Sequence, residues 1–258
     1  MHRAPEQQER HGRHAPRASL AILALASALL LSGCGGGGPS GIGGGDSGPR
    51  PVFIPAPGAA IGSGGGTAWG TVYAPVSERD SQAMTLVNEF RTRGTLQGLP
   101  ATAGTCLEGK FSPRKPLSFN GVLHHAAYKH SLYTTDVGIG GHTQTDTAHP
   151  LFWGASPWDR IARSAQTLGV ASPVINEAAG EARGGGNRTA LEAVQGMLRS
   201  HAHCEILVDA GSGQMGISIT GDPGYQFTGT SEEWANLSPT EEGKHQFRIA
   251  SITMLFSE

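Results

Sequence analysis

Charge is scarce in this chain. Asp, Glu, Lys and Arg make up 16% of its 258 residues, and the formal net charge is −2. No basic cluster stands out, which excludes the electrostatic footprint that nucleic-acid partners require. Long apolar runs are missing too. The best candidate, "LAILALASALLL" from Leu20 to Leu31, falls short of the roughly 20 residues that a membrane-spanning helix needs. There are only three cysteines, no internal repeat, no Gly-x-Ser-x-Gly elbow and no His-Glu-x-x-His pair, so two common hydrolase signatures are absent.

What is present divides the chain into three parts. Arg3, Arg10, Arg13 and Arg17 precede the apolar run, and "LSGC" ends it, which is the layout of a secretory signal. Leu31-Ser32-Gly33-Cys34 resembles a bacterial lipobox, in which Cys34 is lipidated and becomes the mature N-terminus. That implies an envelope lipoprotein, held to the membrane and facing periplasm or exterior. Residues 34–75 are rich in glycine and proline and read as a flexible tether, with too few apolar side chains to offset the entropy of ordering. Residues 76–258 are long enough for one domain with one core. Without residues 1–33, 15 basic side chains face 19 acidic ones.

Setting Cys34 aside leaves Cys106 and Cys204, an even pair in an oxidising compartment, and predicts a disulfide between them. Closing a loop of that size stabilises a fold by about 4.7 kcal/mol on chain-entropy grounds.

Four helices are legible. Ser77 and Asp80 form a capping-box pattern before Met84, Val87 and Phe90, with Gly94 as a stop. A second helix is expected from about Asn120 to Val137. A third has Ser156 as cap, Pro157 at its first position and Gly169 at its end. A fourth runs from about Thr189 to Arg199 and leads into "SHAHCEIL", read as a loop. Strands are expected around Val174 to Ala178, across Met215, Ile217 and Ile219, and in the C-terminal "FRIASITMLF", where Ala250, Ile252, Met254 and Phe256 share a face. Interspersed helices and strands suggest a mixed sheet with packed helices.

The order of motifs then becomes recognisable. "LVNEFRTRGTLQGLP", "PLSFNGVLHHAAYKHS", "GGHTQTD", "SPWDRI", the Gly169 turn, a glutamate in a strand, "AVQGMLRSHAHCEIL" and "GQMGISI" together resemble the CAP superfamily of cysteine-rich secretory, antigen 5 and pathogenesis-related proteins, whose domain is called SCP-like. The resemblance implies an α+β fold: a three-layer α-β-α sandwich with a mixed, mainly antiparallel sheet. It also implies a cleft with two histidines and acidic residues. His142, Glu177 and His203 fall at the family's positions, with Ser200 where eukaryotic members carry a second acid. The family's Gly-Glu-Asn is Asn176-Glu177-Ala178 here, and its tryptophan is Met197. Counting back from His203 without a gap selects Glu181 in "AGEARGGG" instead; the strand-like "PVINEAA" favours Glu177, with a short insertion in the glycine-rich loop.

Two chemistries remain open for this cleft. His142 and His203 with a carboxylate suit a divalent ion such as zinc, which Ser200 or water could complete, and a metal-assisted hydrolase follows. The other is a hydrogen-bonded cleft in a non-enzymatic module that binds a lipid-like or envelope ligand. A surface adhesin, or a cleft that is inherited architecture alone, is a third. Cys204 beside His203 is not read as a nucleophile, because its partner is Cys106. His124, His125, His130 and His149 are expected in structural roles, and Trp153 and Trp158 in packing.

Overall fold

The structure is a computed structural model and describes residues 52–64, 69–138, 140–173, 180–186, 189–209, 211–225, 228–238, 241–242 and 251–257. Cys34, most of the expected tether, Glu177 and the strand expected around Val174 lie outside the described residues.

All four expected helices form, and their caps explain where they begin. Helix α1, Glu78–Arg93, starts at the reciprocal Ser77–Asp80 capping box and ends at left-handed Gly94. Helix α2, Gly121–Val137, is capped by Asn120, whose side chain accepts from two backbone N–H groups, and stops at Gly138. Helix α3, Pro157–Leu168, carries the Ser156–Asp159 box, and helix α4, Ala190–Arg199, the Thr189–Glu192 box. Each box satisfies N–H groups that a helix start leaves without partners.

Among the described residues a four-stranded sheet lies between the helices. Its strands are β3 (Ser118–Phe119), β5 (Gln214–Thr220), β6 (Ser251–Ser257) and β4 (Gly180–Gly185), in that spatial order; β3 and β5 run parallel and the other pairs antiparallel. A small separate hairpin joins β1 (Thr95–Leu96) and β2 (Leu99–Pro100). Alternation on β6 assigns the two faces. Ile252, Met254 and Phe256 join the core that includes α1, α4 and helix α5 (His201–Val208), while Leu255 packs with residues of α2 and α3. Ser131 and Thr134 of α2 hydrogen-bond Thr253 and Ser251 on that second face. The fold is therefore the expected α-β-α sandwich. A short helix α6, Ser231–Ala235, lies between β5 and β6 in the chain.

Three expectations change. "HAHCEILV" is helix α5 rather than a loop. Cys204 is fully buried there and closes a disulfide to Cys106, with Cα atoms 5.8 Å apart. "GEARGG" is an edge strand rather than a glycine-rich loop, because six residues of β6 supply a complete antiparallel ladder. Gly180 is needed at its start: a Cβ there would meet Ile206 of α5 at 2.7 Å. The tether also ends earlier than residue 75. Gly58 N–H donates to Val76, Gly62 to Val72 and Val72 to Ser63, while the Ser81 hydroxyl donates to Pro55. Ile54 and Ala59 pack on the core, so a few well-placed apolar side chains order a strap rich in glycine and proline.

Two buried features hold the layers in place. Arg91 of α1 is fully buried and donates to the carbonyls of Lys115, Leu207, Asp209 and Ser212, tying α1 to the chain before β3 and to the turn after α5. Burial lowers its pKa to about 10, against the opposing charge of Asp209. On the other face, α2 lies so close to β5 that a Cβ on Gly216 would overlap the backbone of Leu123 and His124. Gly216→Ala is accordingly expected to cost about 1–3 kcal/mol, the usual range for overpacking, because backbone cannot rotate aside as a side chain can. Urea unfolding checks it; a midpoint equal to wild type would mean the helix can lift off the strand freely.

Candidate functional site

The site is assembled around Glu181, the alternative register for the cleft carboxylate. It sits on β4 with its side chain 2% exposed. His142, in the chain between α2 and α3, donates from Nδ1 to Glu181 Oε1 at 2.9 Å. Arg160 of α3, fully buried, donates to Oε2 at 2.6 Å and also binds the His142 carbonyl through both terminal nitrogens at 3.1 Å. One guanidinium thus holds both the carboxylate and the backbone of the histidine that meets it. Such charge-assisted bonds are the strong ones.

Behind this pair lies His130 of α2, also fully buried. Its Nε2 donates to the Gly141 carbonyl at 3.0 Å, and its Nδ1 accepts from the Gln144 amide at 3.1 Å. The Gln144 oxygen in turn accepts from the backbone N–H of Trp153 and Gly154. This chain of bonds fixes a neutral imidazole. Burial, and the nearby Arg160 charge, bring the His130 pKa down to about 3, with Glu181 opposing. Desolvation alone would raise the Glu181 pKa; the His142 hydrogen bond and the Arg160 charge outweigh it and leave it below the usual carboxylate value.

His203 lies on the first turn of α5, and its ring centroid is 6.5 Å from that of His142. Partial burial, then the neighbouring His142, lower its pKa. The two expected histidines do come together, one from a loop and one from a helix. His142 is half-exposed and His203 partly buried. Ser200 is the joint between α4 and α5, and its hydroxyl makes no capping bond to α5. Glu177 lies outside the described residues, and no contact of it can be drawn.

The donor set does not fit zinc. Tetrahedral coordination with Zn–N bonds of about 2.0–2.1 Å would need the two rings about 1 Å closer together than they stand. Among the described residues no group of three or more His, Cys, Asp or Glu is placed to hold a metal ion. Electrostatics disfavour it as well. Among the described residues Glu181 is the one carboxylate joined to this network by a hydrogen bond or ion pair, and both its oxygens are engaged. Arg183, two residues along β4, is buried too, with its pKa lowered to about 10 by desolvation and pulled back up by Glu181. Arg160 already neutralises Glu181, and Arg183 adds positive charge beside it, so this carboxylate is a poor ligand for a divalent cation.

The other histidines expected in structural roles, His124, His125 and His149, each hold a neighbouring element. His124 reaches the carbonyls of Ile217 (2.6 Å) and Pro75 (3.1 Å), His125 the hydroxyl of Ser164, and His149 the carboxylate of Asp136. Trp153 lies under two cations, Lys129 and Arg163, and its indole N–H donates to Ser164. Trp158 is exposed instead of packed. Sequence reasoning missed Arg160 and Gln144. "SPWDRI" contains the arginine, but nothing in a helical pattern says that its guanidinium is buried against a strand distant in sequence.

A cavity of about 610 Å³ lies elsewhere, beside α1 and the start of α4. Ser81, Gln82, Thr85, Leu86, Glu89, Gln97, Thr189 and Leu191 line it. None of the cleft residues does.

The family described as the cysteine-rich secretory protein family, CAP, matches residues 84–234. Among solved structures, an extracellular protein containing an SCP domain from Bacillus anthracis str. Ames is similar, at 13% identity and a TM-score of 0.39. The match covers 72% of this chain and 45% of that one, so the chain corresponds to less than half the length of that protein. No curated protein sequence matches.

Proposed function

The chain belongs to the cysteine-rich secretory protein (CAP) family, and from that premise we propose that it is a lipid-anchored cell-envelope protein whose domain is a non-enzymatic binding module for a lipid-like ligand. The cavity beside α1 is the observation that carries the reading. Its volume of about 610 Å³ falls in the range of small-molecule sites, roughly 300–1,000 Å³, and in its wall Leu86 and Leu191 stand among hydroxyls, amides and the Glu89 carboxylate, whose oxygens already accept from Thr95, Gln97 and Gly98. Such a wall suits an acyl chain with a polar end. Among the described residues the histidine cleft, by contrast, offers no activated nucleophile: Glu181 is neutralised by Arg160, and Cys204 is spent in a disulfide. Cys34 in its lipobox-like tetrapeptide supports the anchor, and among the described residues no helix is long and apolar enough to cross a membrane.

The test is a pair of titrations on the full chain carrying Cys34→Ser. A fluorescent fatty-acid analogue should bind, lose at least ten-fold in affinity on Leu191→Trp, which fills the cavity, and be indifferent to His142→Ala. Zinc followed by calorimetry should show no one-to-one binding tighter than about micromolar that depends on His142 and His203. Stoichiometric zinc together with no fatty-acid binding would replace this reading with the metal-assisted hydrolase.

A further inference from the structure

The strap that precedes α1 carries an unusual surface. Among the described residues six large apolar side chains are exposed, and four of them, Val52, Phe53, Ile61 and Trp69, fall within 18 residues of one another in sequence. Phe53 and Trp69 are brought together by the fold. The Phe53 carbonyl accepts from Phe119 N–H, its ring stands edge-on to Phe119 and touches the Cβ position of Gly70, and Trp69 bridges to Asn120, next to Phe119. Ile61, 64% exposed, sits on the turn whose ends bond Val72. From Pro51 to Ser77 the sequence holds no charged residue at all. This is an aromatic and aliphatic surface with no ion to desolvate.

Its place in the chain says what covers it. Seventeen residues separate Cys34 from Val52, a length whose covalent limit is about 60 Å, so the strap begins within reach of a membrane that holds Cys34. We propose that the strap, through Val52, Phe53, Ile61 and Trp69, docks onto the phospholipid interface of the membrane that anchors Cys34, so that the domain lies on the bilayer instead of swinging on its tether. Aromatic side chains favour the water–lipid boundary, and a second contact turns a loose anchor into a fixed orientation. The inference rests on the lipid-anchor reading for its tether, and its test separates the two.

The experiment uses full-length wild type and the Cys34→Ser chain with vesicles of phosphatidylethanolamine and phosphatidylglycerol, in which part of the lipid carries brominated acyl chains. Tryptophan emission should be quenched in both proteins, at higher lipid concentration for Cys34→Ser, and Trp69→Phe should remove that quenching while leaving the melting temperature unchanged. Ile61→Asp should weaken vesicle binding of the Cys34→Ser chain about ten-fold. Quenching that survives Trp69→Phe, or binding unchanged by Ile61→Asp, overturns the docking surface. So does a concentration-dependent dimer in sedimentation that Ile61→Asp abolishes, which would make the strap a contact between two copies. Unmodified Cys34 by mass, with both proteins floating alike, overturns the anchor; the quenching of Cys34→Ser then still decides the docking.

Discussion

Acidification from about pH 6.5 to 5 is expected to remove about 3 kcal/mol of stability from the folded domain, through two buried histidines. Burial, then Lys129, lowers the His125 pKa to about 4; burial, then Arg160, lowers that of His130 to about 3. Both groups are neutral in the fold and gain a proton on unfolding as soon as the pH falls below the ordinary histidine value. The sign follows directly. Their contribution is complete above about pH 6.5 and is lost progressively until the folded pKa values are reached, at about 1.4 kcal/mol per group and pH unit. For a domain whose total stability is about 5–15 kcal/mol the loss is large. Urea unfolding at the two pH values measures it. His130→Gln, which cannot take up the proton, should cut the difference roughly by half, although its stability at pH 7 is lower. Equal stability of wild type at both values would show that the two imidazoles keep ordinary pKa values in the fold, and an undiminished difference in the variant would show that His130 is not the group responsible.

The neutral state of His130 illustrates what a sequence can and cannot display. Helix α2 is readable from Asn120, from Gly138 and from the spacing of its apolar residues, because caps and periodicity are local. That His130 accepts from Gln144 depends on where the following loop turns back, and no local pattern encodes that. The same division holds across the fold. All four capped helices and the C-terminal strand were legible. Strand β4 was not, since glycine has little strand preference of its own and the ladder comes from β6, some seventy residues later.

Helix α5 was hidden for a related reason. It follows α4 with one intervening residue, Ser200, and its eight residues have no side-chain cap to announce them. It is held from outside, by the disulfide to Cys106 and by Leu207 and Val208 in the core. At the site, the two histidines could be named from the family resemblance, and the carboxylate was narrowed to two positions. The structure brings Glu181 to His142. What the sequence could not supply was the countercharge: an arginine in an otherwise ordinary amphipathic helix decides whether the carboxylate is free to take a metal.

Removing the Glu181 charge should therefore be more damaging than removing either histidine. In Glu181→Gln the amide can still accept and nearly preserves the shape, but Arg160 is left fully buried with only the solvent-exposed Asp159 opposite it in charge, and with Arg183 close by. Breaking a buried pair in this way typically costs about 3–5 kcal/mol. The Glu181 contribution is present above the ordinary carboxylate value, because its pKa is depressed in the fold, and is lost as the pH falls through the folded value; it therefore adds to the histidine effect only in stronger acid. Replacing both partners, Glu181→Leu with Arg160→Met, should recover most of the loss at pH 7, since an apolar pair of similar volume needs no countercharge. The double variant also separates structure from function. A stable double variant that still binds the fatty-acid analogue places the ion pair as the support that holds His142 and β4 in position, whereas loss of binding in a fully stable protein would put the cleft itself in contact with the ligand. Stability that falls further in the double variant than in Glu181→Gln would mean that Arg160 matters through its bonds to the His142, Gly154 and Ala155 carbonyls more than through its charge.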